Sequence, residues 1–151
     1  MATEYGAGDA LSLVAGETLL PFRFAAISSD GKLYLATGAG DEITVGVTTA
    51  GVAAGSAVAA VFTGLAKIES AEALTPGAPI VSDGFGRCAN WVDLMSPTLG
   101  IAMAPAGGAG EIIFGLFTPR VWPIYTLDGG QAWALPVDAS RGVTVGIGPL
   151  T

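Results

Sequence analysis

Cys88 is the one thiol in the 151-residue chain, and there is no histidine. Those two counts remove most polar chemistry at once. No Ser–His or Cys–His nucleophile pair can form. Imidazole is missing both as general base and as metal ligand. A single cysteine makes neither an intrachain disulfide nor a thiolate zinc site. In its Gly/Ala-rich surroundings Cys88 reads as a small buried hydrophobe. Carboxylates remain. Asp41 and Glu42 are adjacent, so on a strand they point to opposite sides. Glu69 and Glu72 would share one face of a short helix. Glycoside hydrolysis needs two carboxyls at a set separation across a cleft, and nothing in the spacing arranges either pair that way. Both pairs read as solvated or turn-forming groups. Gly38-Ala39-Gly40-Asp41-Glu42 begins like a dinucleotide-binding loop but lacks the third glycine, and a strand pattern follows where a helix is required. There is no Gly-x-Ser-x-Gly elbow and no Gly-x-x-x-x-Gly-Lys loop. No catalytic residue, no cofactor and no metal site is expected.

The rest of the composition points to partners instead of substrates. Six Lys+Arg stand against 13 Asp+Glu, a net charge of −7. An acidic surface without a cationic cluster repels phosphate, so nucleic acid is not an expected partner. Charged residues are only 13% of the chain and apolar ones 51%, which excludes coiled coils and disordered chains. Glycine, at 23 residues, has no collagen period. A mean hydropathy of +0.61 is high for a soluble monomer and natural for a chain whose surface is covered by neighbours. Met1 to Gly16 carries no Lys or Arg and no continuous apolar run, so it does not read as a signal peptide. Ile43 to Ala66 is free of charge and holds a small-xxx-small pair, Gly51 and Gly55. Its glycines, threonines and strand-like alternation make it two buried strands joined by a turn, and no membrane span is expected.

What must position these residues is a set of strands. Alternation with period two places Leu20, Phe22 and Phe24 on one face, in a strand that Pro21 makes an edge or bulged one. Similar sets are Leu33 and Leu35; Ile43, Val45 and Val47; Val58, Ala60 and Phe62; Leu99, Ile101 and Met103; Ile112, Phe114 and Leu116; and Val143, Val145 and Ile147. Gly64 reads as a bulge before Ala66 and Ile68. Asp30-Gly31, Ala54-Gly55-Ser56, Thr75-Pro76-Gly77, Asp83-Gly84 and Asp128-Gly129-Gly130 read as turns. The one tempting helix is Glu69 to Leu74. Gly31, Gly46 and Gly55 are echoed by Gly84, Gly100 and Gly110 with gaps that agree within one residue, which suggests two related β-layers. The expected fold is mainly β: a small β-barrel or β-sandwich, β-tulip-like, with extended N- and C-terminal arms. Residues 1–15 form the N-terminal arm, 16–118 the β-rich domain, and 119–151 a hairpin and extended tail. Apolar arms rarely stay solvated. Tyr5, Leu11, Leu13, Trp122, Tyr125 and Trp133 are therefore the candidate interface residues.

The ordered set Asp30-Gly31-Lys32, Ile43-Thr44-Val45-Gly46-Val47, Ala53-Ala54-Gly55-Ser56-Ala57-Val58 and Thr63-Gly64-Leu65-Ala66-Lys67-Ile68 resembles the tailed-phage capsid cement, or head decoration, proteins. So does its continuation through Leu74-Thr75-Pro76-Gly77, Asp83-Gly84, Leu99-Gly100-Ile101-Ala102 and Gly110-Glu111-Ile112-Ile113. The resemblance covers about residues 11–118, and the segment after Pro119 departs from it. It implies a β-rich structural protein on the outer surface of a virion capsid, made in the host bacterial cytoplasm. Its implied partners are the major capsid protein and further copies of itself, as a homotrimer; no catalytic residues carry over. The rival reading is a carbohydrate- or receptor-binding β module of a phage head fibre or tail, using an aromatic beside a carboxylate or second aromatic: Trp91 with Asp93, or Trp122 with Tyr125.

Overall fold

The computed structural model describes residues 8–39, 42–92 and 97–121. Among them there are nine strands and no helix: β1 (Asp9–Val14), β2 (Phe24–Ile27), β3 (Leu33–Leu35), β4 (Thr44–Thr48), β5 (Ala57–Glu69), β6 (Pro79–Ser82), β7 (Cys88–Asn90), β8 (Thr98–Ala102) and β9 (Ile112–Val121). The fold is mainly β and barrel-like. β1 lies within the stretch read as an N-terminal arm and pairs antiparallel with β5 from Val14↔Ala57 to Asp9↔Thr63.

Two local expectations are corrected. Phe22 has a φ of 60°, a left-handed backbone that ends any strand passing through it, so Leu20 and Phe22 lie in a turn before β2. No helix runs from Glu69 to Leu74. Glu69 ends β5, and Ser70 is fully buried with its hydroxyl donating to Gly108 O at 2.6 Å and accepting from Glu111 N–H at 3.1 Å. A side chain tied on both sides to a distant loop pins the backbone away from a helical turn.

The strand order is β3-β2-β4-β5-β9-β8-β6-β7, with β1 also on β5. β5 is long enough to serve twice. Its first part, from Ala57 to Thr63, pairs with β1; its second part, from Gly64 to Glu69, pairs with β9. Gly64 divides the two at φ +99°, and its Cα faces the Gly8 backbone so closely that a Cβ would sit 2.7 Å from Gly8 Cα. Two five-stranded units result. In the first, β1, β5, β4, β2 and β3 curl until Leu33 bridges Ala15; in the second, β5, β9, β8, β6 and β7 curl until Cys88 bridges Ser70.

The units are repeats. The parallel bridge moves from Ala15↔Leu33 to Ser70↔Cys88, a displacement of 55 residues at each end. The antiparallel bridge moves from Leu19↔Val52 to Leu74↔Ala106, by 55 and 54. Pair registers follow: Leu13↔Val58 becomes Ile68↔Ile113, and Ala25↔Gly46 becomes Ile80↔Gly100. The skipped positions correspond on the strands, though in different pairings: Val45 is skipped in the β2–β4 register and its mate Leu99 in the β8–β9 register. The echo seen in the glycines is therefore a structural duplication, with one adjustment. Gly31 is matched by Gly86, not Gly84: the two have φ of 79° and 77°, and Gly31 N–H to Ser28 O corresponds to Gly86 N–H to Asp83 O.

Each unit has an apolar interior. Ala15, Leu19, Ala25, Leu33, Val58 and Ala60 form that of the first unit. Ile68, Leu74, Ile80, Cys88, Leu99 and Ile113 belong to that of the second, which also takes in Phe24, Ala26, Ala36, Val47 and Val61 from the first. The Phe24 and Phe117 rings meet across this seam with centroids 5.9 Å apart.

Candidate interaction surface

The polar side chains hold turns together. Glu17 accepts from Leu35 N–H at 2.7 Å, and its repeat mate Glu72 accepts from Asn90 N–H at 2.7 Å. Glu42 accepts from the Thr37 and Gly38 N–H groups and from the Thr37 hydroxyl. Asp83 accepts from Phe85 N–H and Arg87 N–H and pairs with the Arg87 guanidinium at 2.8 Å. The Lys32 N–H and then the Tyr34 hydroxyl hold the Asp30 carboxyl below its ordinary value, and the same bond raises the Tyr34 phenol. Glu69 does not share a helical face with Glu72; it pairs with Arg23 at 2.9 Å. Asp41 lies outside the described residues. Among those described, no group of three Asp, Glu, His or Cys side chains converges on a point a metal ion could occupy.

Cys88 is buried as expected. Burial, reinforced by the charges of Glu72 and Asp83, pushes its thiol up to about 12. It is a protonated packing group near neutral pH, since nucleophilic cysteines need the opposite shift.

What the described surface does offer is apolar area. Leu11, on β1, is 40% exposed, and Leu13 is half-buried against the interior of the first unit. Tyr5, Trp122, Tyr125 and Trp133 lie outside the described residues. Of the rival aromatic sites, Trp91 is half-buried, and Asp93, Trp122 and Tyr125 are outside the described residues. Sequence reading placed Ile43, Met103 and Ile112 in alternating apolar strand sets and did not mark them, Val14 or Val92 as surface; all five are large, apolar and exposed. Alternation alone could not find Ile43, because it predicts one face for Ile43, Val45 and Val47. The irregular register around Val45 separates them: Ile43 is exposed, Val45 packs on the first interior and Val47 joins the seam.

No helix among the described residues is long and apolar enough to cross a membrane. No protein-family model matches the sequence, and a comparison with curated proteins finds no match. Solved structures do show the fold. The N-terminal base of the head fibre protein gp8.5 of bacteriophage phi29 superposes with a TM-score of 0.59 at 16% identity, over 75% of this chain and 97% of that one.

Proposed function

We propose that this chain is a structural virion protein that binds the outer surface of a tailed-phage capsid and stabilises the shell, as a cement or decoration protein. The observation that carries the reading is the fold shared with the phi29 head fibre base along nearly the whole of that base. The ordered turn and strand motifs that resemble cement proteins support it, as does an apolar, weakly charged surface suited to permanent contacts. Its partners are the major capsid protein and its own copies, as a homotrimer suited to the threefold and quasi-threefold positions of an icosahedral shell. The action is mechanical. A standard interface buries about 800 Å² per partner. Many copies bridging neighbouring capsid subunits add up to a large restraint through simultaneous contacts.

A second reading, favoured by the same structural likeness, makes the chain the capsid-seated base of a head fibre. Both readings place it on the head, and the first assigns it reinforcement. The test is to strip the protein from virions, add it back, and follow DNA release on heating by dye fluorescence. Cement raises the release temperature of stripped heads. A protein that rebinds and leaves that temperature unchanged is a fibre base; one that does not bind heads refutes both readings.

A further inference from the structure

The two repeats are alike in fold and unlike in what covers them. The seam inside the chain has two sides. The first unit contributes Phe24, Ala26, Ala36, Val47 and Val61; the second contributes Ala66, Ile68, Leu99 and Phe117. All nine are at most 7% exposed. Moved along by one repeat, the first side becomes Pro79, Val81, Trp91, Ile101 and Leu116. Moved back by one repeat, the second side becomes Leu11, Leu13, Val45 and Phe62. Every one of these nine is apolar or aromatic, and every one is half-buried or exposed. The chain thus carries a fully covered copy of each side of the seam in its middle and a less covered copy at each end, where Leu11 and Pro79 are exposed and the other seven are half-buried.

We propose that these ends are complementary and that the second unit of one copy docks on the first unit of another, head to tail, repeating the internal seam between chains. The polar groups fit this. Inside the chain the seam is flanked by Arg23 and Glu69, an ion pair. Their repeat mates are Ala78 and Val14, and Val14 is 41% exposed. Both charges are replaced together, so neither end presents a lone ion to an apolar partner. One bond cannot repeat: Phe24 N–H donates to Gly86 O at 2.7 Å, whereas its mate Pro79 has no N–H. The contact between copies is therefore weaker than the seam within one. Head-to-tail contacts close into a ring or grow open. The homotrimer proposed above is the closed form, with six repeats around one axis, but the contact itself does not depend on any role on a capsid.

Cross-linking of the full chain tests it. Leu11 and Pro79 are both exposed. They are the mates of Ala66 and Phe24, which line one gap in the internal seam. Leu11→Cys and Pro79→Cys are made separately and treated with a short bismaleimide, native Cys88 being buried. The expected result is a two-chain product from the mixture and none from either variant alone, with longer products when both cysteines are on one chain. A product from a single variant alone would show a twofold contact and overturn the proposal. So would the absence of any product. As a second measurement, Leu11→Glu should keep the wild-type circular dichroism and a cooperative melt, lowered only to a temperature that no longer depends on protein concentration, while its light-scattering mass drops to the 15.0 kDa of one chain. An unchanged multiple-chain mass also overturns it.

Discussion

The ion pair at the internal seam gives a sharp energetic test. Arg23 Nη2 and Glu69 Oε1 are 2.9 Å apart, with side chains 12% and 23% exposed. Arg23 Nη1 also donates to Phe85 O at 2.9 Å, while Nε is buried without a partner. Such a pair has already paid much of its desolvation cost, so its net worth is small, but removing one partner strands the other. A fully buried pair broken on one side loses about 3–5 kcal/mol. Residual solvent contact here reduces that to about 2 kcal/mol for Glu69→Val and about 2 kcal/mol for Arg23→Met. The double variant imitates the chain's own alternative, Ala78 and Val14, in having no charge on either side. It should cost about 1 kcal/mol, leaving a coupling of about 3 kcal/mol in the double-mutant cycle. Urea unfolding is the assay. With a slope of about 2 kcal/mol/M, each single change moves the midpoint down by about 1 M and the double change by about half that. Additive losses, with the double variant as weak as both singles combined, would refute the reasoning. So would single losses below about 0.5 kcal/mol, which belong to surface pairs.

Other consequences are more quickly checked. Gly31→Ala meets open space and should cost only the left-handed strain, about 1 kcal/mol. Gly64→Ala adds a clash with the Gly8 backbone, and its melting temperature should fall at least twice as far. The Cys88 thiol, buried and raised to about 12, should resist iodoacetamide at pH 8 in the native protein and react fully in urea; rapid native labelling would contradict the packing. The Asp30 carboxyl is lowered on folding by its bonds to Lys32 N–H and Tyr34 OH, so its contribution is present above the unfolded value and lost as pH falls through the folded one. Wild type should accordingly exceed Asp30→Asn in stability at neutral pH, and the two should converge in acid. A gap that widens in acid has the wrong sign.

Much of the fold was legible because strands and turns write local signals. Alternation located the strands at Leu33 and Leu35, at Val58 to Phe62 and at Ile112 to Leu116, and Gly64 marked the point where β5 changes partners, but in β9 the buried face is Ile113, Gly115 and Phe117 and not the alternating set Ile112, Phe114 and Leu116. Signals failed where one backbone position decided the outcome. Phe22 alternates properly with Leu20 and Phe24, yet its left-handed φ takes it out of the strand; its repeat mate is Gly77, at φ 88°, where the glycine makes the same conformation evident. The echo slipped by two residues for a related reason. Asp30-Gly31 and Asp83-Gly84 look alike, but Asp83 stands where Ser28 stands, at the opening of the turn, and Gly86 supplies the positive φ that Gly31 supplies.

The candidate surface was less legible, because exposure here depends on which repeat lies against which. Leu13 and Ile68 are both apolar strand residues with equivalent partners, Val58 and Ile113. Nothing local tells them apart. Ile68 is 1% exposed because the first unit lies over it, and Leu13 is half-buried because no described unit precedes its own. The same holds on the other side for Phe24 and Pro79. A mean hydropathy of +0.61 records this surplus only as a total. The duplication assigns part of it to positions: residues kept apolar at both ends as their mates are in the middle, where the seam requires it. Partial packing within the chain accounts for some of the apolar character of Val81, Ile101 and Leu116, but less of that of Leu11, which is 40% exposed. A chain that joins others through the contact it already makes with itself has a physical reason to keep all four apolar.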